Sequence, residues 1–300
     1  MSEARQRIVE EAQRTIAAGS KSFRFASQIF DLKTRERSWL LYAWCRACDD
    51  VTDGQTLGHD AVTPDDPAER LAFLRDRTDA ALTKNATGLV PFDSLAVVAA
   101  ETDIPPGLPR DHLAGFARDA AGWSPRTEQE LLSYCYQVAG AVGMMMGHVM
   151  GVDPADRDTL DRASDLGIAF QLANISRDLA DDARVGRSYI PADWGLDPAD
   201  AADRPAIAER LAALADAYRR SSKVGAARLP FRSRWAVLSA AGIYGEVATR
   251  AVTLGPRAWD KRISISKAEK FALVIEAFGE ALMPAPKVSR EGLWTRPSDS

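Results

Sequence analysis

Residues 164–191, SDLGIAFQLANISRDLADDARVGRSYIP, decide how the rest of the chain is read. The stretch opens as an apolar-rich helical segment and closes in a run of charges. Side chains three and four residues apart share one helix face. Gln171, Asn174, Asp178 and Asp182 fall on such a line, with Asp181 beside it, while Ile168, Phe170, Leu172 and Leu179 occupy the other faces. Carboxylates and amides are therefore aimed together from one side of a helix. Gly186 supplies a stop, and Pro191 keeps the helix from resuming.

A second acidic cluster lies upstream in WLLYAWCRACDDVTD, residues 39–53. Asp49 and Asp53 are again four apart, with Asp50 adjacent, and Tyr42 and Arg46 share the Asp49 side at spacings of seven and three. An isolated pair of aspartates is ordinarily a solvated surface feature. Here Trp39, Leu40, Leu41, Tyr42, Ala43, Trp44 and Cys45 are apolar around the whole circumference, as in a buried helix. Two carboxylates ~6 Å apart repel by about 3 kcal/mol at an effective dielectric near 20, so two such pairs in a half-buried cleft call for counter-charge. Facing helices that each bear Asp-x-x-x-Asp predict bound divalent metal, and with it phosphate oxygens. The expected ligands are Asp49, Asp53, Asn174, Asp178 and Asp182.

Helical periodicity dominates the chain, and no convincing alternating strand pattern occurs. The pattern predicts helices near 4–18, 34–53, 66–84, 89–101, 109–120, 127–151, 157–183, 203–226, 231–254 and 266–284. An all-α bundle around a central apolar cavity follows. With 300 residues, 46% of them hydrophobic, one large core is affordable, and no linker divides it. The formal charge of −4 argues against nucleic-acid binding and leaves any attraction for a diphosphate to local cations. Three cysteines make no disulfide framework, so a cytoplasmic setting is expected. The charged opening MSEARQRIVEEAQR is unlike a signal peptide, and no apolar run reaches membrane-spanning length. Cys45-x-x-Cys48 sits within a helix with no second cysteine pair, so packing is the expected role. From Pro284 onward the composition predicts a flexible tail.

The motifs DDVTD after YAWCRAC, YCYQVAGAVG at 134–143 and QLANISRDLADDARVGRSYIP resemble the squalene/phytoene synthase family. The likeness runs from Lys21 to about Arg262, and the wording of the motifs is closest to the members that make phytoene. It implies an isoprenoid-synthase catalytic domain over residues 1–284, with the tail at 285–300. It also implies Mg²⁺-dependent head-to-head condensation of two geranylgeranyl diphosphates, by way of a cyclopropyl diphosphate, to a C40 hydrocarbon. Mn²⁺ is the expected substitute metal, and no nucleotide cofactor is expected.

By the same resemblance, Asp49, Asp53, Asp178, Asp182, Tyr134, Tyr136 and Arg46 surround the reacting centre. Lys21, Ser22, Phe23, Tyr42, Gln171, Asn174, Arg177, Arg187, Tyr189, Tyr244 and Arg262 contact the substrate. Such greasy substrates and products imply transient membrane contact near the cavity mouth, and contact with neighbouring carotenoid-pathway enzymes. The runner-up is a dehydrosqualene, squalene or presqualene diphosphate synthase acting on farnesyl diphosphate. A non-catalytic assembly protein of the same fold is a weaker alternative, because both acidic clusters are kept. The smooth stripe Ala139, Gly140, Gly143 and Gly147 reads as close helix packing that could also admit a prenyl chain.

Overall fold

A computed structural model of the protein describes residues 3–19, 26–52, 66–83, 85 and 87–297. Eleven α-helices are found among them: α1 (Glu3–Gly19), α2 (Leu32–Thr52), α3 (Pro67–Leu82), α4 (Val90–Thr102), α5 (Gly107–Ala120), α6 (Glu128–Cys135), α7 (Ala141–Val149), α8 (Arg157–Arg184), α9 (Arg204–Ala226), α10 (Phe231–Thr253) and α11 (Lys267–Leu282). No strand occurs among the described residues.

Helix α8 is the axis of the bundle. Asp156 caps it, accepting the Thr159 backbone N–H at 3.1 Å and the Thr159 hydroxyl at 2.6 Å. It then runs 28 residues, about 42 Å. Gly186 ends it at φ +74°, a left-handed turn that lets the Arg187 N–H reach back to the Asp182 carbonyl at 2.9 Å. The predicted stop is therefore the observed one. Helices α7, α9 and α10 pack around α8.

The contact between α7 and α8 explains the small residues. A Cβ added at Gly143 would collide with the Ala163 carbonyl oxygen, and one at Gly167 with the Ala139 carbonyl oxygen. The two backbones thus touch, and only glycine fits.

One predicted helix is not uniform. Residues 127–151 read as a single α-helix, but Tyr136–Gly140 form one π-helical turn between α6 and α7, where the Ala141 N–H bonds the Tyr136 carbonyl five residues back. Such turns insert a residue and re-aim the side chains around them.

Helix α2 is buried as its all-round apolar sequence predicts. Leu40, Trp44, Cys48 and Val51 expose no surface, and burying the Leu40 or Val51 side chain contributes about 1.5–3 kcal/mol. The Trp44 indole N–H donates to Thr78 Oγ1 at 3.2 Å, joining α2 to α3. Cys45, Cys48 and Cys135 are free, and burial pushes all three thiols up in pKa. They serve as packing groups.

Residues 285–297, predicted from composition to be a flexible tail, are tied to the bundle at two points. Arg290 grips both carboxylate oxygens of the fully buried Asp165 at 2.9 and 2.8 Å. The Trp294 N–H donates to the Tyr218 hydroxyl at 2.9 Å. A buried carboxylate needs partners: the Ser221 hydroxyl donates to it at 2.6 Å, and the tail supplies the cation. Composition alone could not show this, because Asp165 and Arg290 lie 125 positions apart.

Candidate active site

Between α2 and α8 the bundle encloses a cavity of about 830 Å³. Its deep part is walled by Phe30, Val142, Met146, Met150, Leu229 and Val237. The opposite end is charged. Helix α2 contributes Tyr42, Arg46 and Asp49, and α8 contributes Gln171, Asn174, Arg177, Asp178 and Asp182. The connection after α8 adds Arg187 and Tyr189, α10 adds Tyr244, and the segment after α10 adds Arg262. Together with Tyr134, thirteen of the residues singled out in the sequence thus line one cavity.

Four others, Lys21, Ser22, Phe23 and Asp53, lie outside the described residues. Tyr136 is the exception. Its hydroxyl donates to Asp111 at 2.5 Å and its ring sits 5.2 Å from that of Trp294, away from the cavity lining. The reason is geometric: residues two apart on a helix point about 200° apart, so Tyr134 and Tyr136 cannot both face the site.

The charged end is an ordered set of pairs. Arg177 holds both oxygens of Asp178, at 2.8 and 2.5 Å, and the Arg262 guanidinium stands 3.9 Å from the same carboxylate. Bidentate geometry of this kind fixes a carboxylate's orientation. Asp182 has no comparable grip. Burial, followed by repulsion from Asp178, raises its pKa to about 6; Arg187 offsets part of this, and Asp181 and Asp119 add to it. Across the cavity, Arg46 lies 3.3 Å from Asp49 and 2.5 Å from Asp50. Asp181, beside the functional line on α8, turns outward to Arg184 at 2.8 Å.

Sequence reading missed Asp119. Its carboxylate, on α5, accepts hydrogen bonds from the hydroxyls of Tyr134 and Tyr189, each at 3.0 Å. The two rings stack with centroids 5.0 Å apart and planes at 16°. Burial and the nearby Asp119 charge raise both phenols, Tyr134 well above its usual value and Tyr189 to about 12. Both therefore stay protonated donors near neutral pH. No signal in the sequence marks Asp119: its own helix carries no second acid three or four residues away, and its partners come from 15 and 70 positions downstream. Phe170, read only as an apolar neighbour of the acids, stacks on Tyr244 at 4.0 Å and 17° within the same wall.

Among the described residues, no three acids, histidines or cysteines close on one point tightly enough to hold a metal by themselves. The donor set still fits a magnesium ion. Mg²⁺ takes one or two carboxylates and fills its remaining positions with water and substrate phosphate. Asp178 and Asp182 stand one turn apart, and burial together with the Asp178 charge penalises the ionised Asp182, a penalty that a divalent cation would relieve.

A family model described as squalene/phytoene synthase matches residues 16–269. A 15-cis-phytoene synthase of Pantoea ananas is 43% identical over 305 residues, covering 97% of this chain and 98% of the relative. A 15-cis-phytoene synthase of a Paracoccus species is 44% identical over 301 residues, with the same coverage of both chains. Among solved structures, a dehydrosqualene synthase in complex with ligand superposes with a TM-score of 0.80 at 26% identity, over 92% of this chain and 97% of that one. A squalene synthase from Alicyclobacillus acidocaldarius, at 19% identity and a TM-score of 0.72 over 83% of this chain and 94% of that one, shares the fold. With its acids and arginines gathered at one end of an apolar cavity in that same fold, the chain belongs to the squalene/phytoene synthase family.

Proposed function

We propose that the protein condenses two molecules of geranylgeranyl diphosphate head to head, giving phytoene and two diphosphates. The observation that carries this reading is an 830 Å³ cavity with an acid- and arginine-lined end and a mostly apolar wall elsewhere. That volume lies in the upper part of the range for small-molecule sites, as long prenyl chains require. Relatives 42–44% identical over 97% of this chain are named as phytoene synthases, which favours the C20 substrate.

Asp49, Asn174, Asp178 and Asp182 are the proposed Mg²⁺ ligands, with Asp53 expected beside them. When bound, the metal supplies Lewis-acid withdrawal of charge from the leaving diphosphate. Arg46, Arg187 and Arg262 donate to the diphosphate oxygens, and Arg177 holds Asp178 in a fixed orientation.

The donor's C1–O bond breaks, and the acceptor's double bond attacks the resulting allylic cation. Loss of one proton closes the cyclopropyl diphosphate. A second ionisation, rearrangement and loss of a second proton complete the hydrocarbon. Tyr134 and Tyr189, held protonated by Asp119 and burial, do not take these protons; the released diphosphate does. The stacked Tyr134–Tyr189 and Phe170–Tyr244 pairs offer aromatic faces to cations that water would quench.

Mixing purified protein with Mg²⁺ and the C20 or the C15 diphosphate, without NADPH, tests the reading. Phytoene from the C20 substrate is expected. A C30 product alone, or an elongated linear diphosphate, overturns it. The C15 reading is the second one, favoured by the structural likeness to a dehydrosqualene synthase.

Both substrate and product partition into lipid, so we also infer a cytoplasmic protein working at a membrane surface. There it would exchange material with enzymes that supply the C20 diphosphate and consume the C40 hydrocarbon. No helix of the described residues is long and apolar enough to cross a membrane, so contact would be peripheral.

A further inference from the structure

Helix α11 has more apolar surface than its packing uses. Val274, Ala277 and Ala281 form its buried face, seated on α10. Phe271, Ile275, Phe278 and Leu282 recur at i, i+4, i+7 and i+11, a second single face. These four are 59%, 56%, 40% and 65% exposed. Met283 and Phe231, at 61% and 40%, extend the strip at its far end, where the Phe231 ring meets Phe278 edge-on at 5.6 Å.

The charges around the strip are sorted. The acids Glu269, Glu276 and Glu280 lie on a line of their own. Two of them are neutralised inward, Glu269 by Arg250 at 2.5 Å and Glu280 by Lys223 at 2.7 Å. The strip itself is bordered by cations: exposed Lys267 at the start of the helix, Arg232 and Arg234 at its end. Both arginines donate to carbonyl oxygens, Arg232 to Ile29 at 2.7 Å and Arg234 to Met283 at 2.6 Å, contacts that hold the side chains without cancelling their charge.

The position is also informative. Helix α10 lines the cavity with Ala236, Val237, Ala240, Ile243 and Tyr244, and α11 lies along its outer side. Contacts run from Arg250–Glu269 at one end to the Trp235 indole N–H on the Val274 carbonyl at the other. The strip therefore parallels the cavity wall one helix away.

We propose that the Phe271–Ile275–Phe278–Leu282 strip is the surface by which the protein docks on a lipid bilayer bearing anionic headgroups. An apolar helix face flanked by cations lies in the plane of such an interface, its aromatic and aliphatic groups among the acyl chains and its cations at the headgroups. This rests on the functional reading above, because a substrate and product dissolved in lipid give the chain a reason to sit there. A second copy fits less well. The twelve residues from Phe271 to Leu282 span ~17 Å, and one helix is ~10 Å wide, so the strip offers a few hundred Å², against the ~800 Å² per partner of a stable dimer.

The test is flotation with vesicles of phosphatidylcholine containing one-third phosphatidylglycerol, using the full chain and the variants Ile275→Ser and Phe271→Ser/Ile275→Ser. Both sites are solvent-exposed, and unchanged circular dichroism establishes that the variants are folded. Wild type is expected to float, with at least a tenfold smaller bound fraction in the double variant, an intermediate loss in the single one, and release of wild type by 0.5 M salt. Turnover of detergent-dispersed substrate should be unchanged in both variants. Wild type that stays unbound, or a double variant that floats equally well, overturns the proposal. So does a wild-type dimer without vesicles that the double substitution converts to monomer. Wild type that floats but makes no hydrocarbon from either diphosphate sinks the functional reading and leaves the docking surface standing.

Discussion

The sequence repeats one spacing, Asp49-x-x-x-Asp53 and Asp178-x-x-x-Asp182, yet the acids that can be compared, Asp49 on α2 and the pair on α8, differ in their surroundings. On α8, Asp178 is gripped in both oxygens by Arg177, and Asp182 is buried enough to carry a pKa of about 6. On α2, the Asp49 side chain is 52% exposed and meets Arg46, which also serves Asp50. Identical spacing places carboxylates on a face; burial and counter-charge decide what those carboxylates do. The α8 side is a rigid, electrostatically loaded anchor, and the α2 side is a more open partner across the cavity.

If both sides hold the diphosphate through metal, their unlike surroundings should not matter to the outcome of losing either. Asp49→Asn and Asp178→Asn should each lower kcat/KM by at least about a thousandfold, which is about 4 kcal/mol of transition-state stabilisation, with the fold intact by circular dichroism. Near-normal turnover in Asp49→Asn would confine the chemistry to α8.

A smaller loss is expected from Asp119→Asn. The amide keeps its volume but not the charge that holds the Tyr134 and Tyr189 hydroxyls, so kcat should fall about 10- to 100-fold. Tyr134→Phe and Tyr189→Phe should each cost less than Asp119→Asn, and equal losses in all three would show that the hydroxyls act separately.

The α8 acids also predict a pH effect on stability. Asp182 has a folded pKa raised to about 6 from the ordinary 3.8. The folded state binds that proton more tightly than the unfolded chain does. Its contribution is therefore most favourable below pH 4 and is lost as pH rises through 6. Asp182→Asn should stabilise the metal-free protein at pH 8 by about 1 kcal/mol, the figure reduced for solvent screening, and should give no gain at pH 4. Thermal melts at the two pH values read this directly. A gain independent of pH would mean that Asp182 is not strained by its neighbours. Stabilisation by removing a functional charge is the usual mark of a site kept for activity.

The smallest effect concerns Tyr136. Since it faces Asp111 and Trp294, Tyr136→Phe should leave kcat within about twofold of wild type and cost about 1 kcal/mol of stability. A hundredfold loss of turnover would place its hydroxyl in the chemistry after all.

The bundle was legible in the sequence because helix periodicity, glycine stops and prolines are local signals. The Gly186 stop and the buried circumference of α2 appear where their residues place them. So does the line Gln171, Asn174, Asp178 and Asp182, because it depends only on 3.6 residues per turn. What escaped notice depends on tertiary pairing. Asp119 matters through Tyr134 and Tyr189, and the tail is anchored because Arg290 pairs with the buried Asp165. The π-turn at Tyr136–Gly140 was invisible for a different reason: YCYQVAGAVGMMMG, residues 134–147, is apolar or small on nearly every face, so a shift of helix phase leaves no mark in its pattern.

The central claim is that acids on α2 and α8 grip diphosphate through magnesium. Calorimetric titration with inorganic diphosphate, with and without Mg²⁺, tests it without any turnover. Tight binding is expected only when both are present, and it should be lost equally in Asp49→Asn and Asp178→Asn. Binding that is as tight in the absence of metal, or that survives both substitutions, would contradict the account.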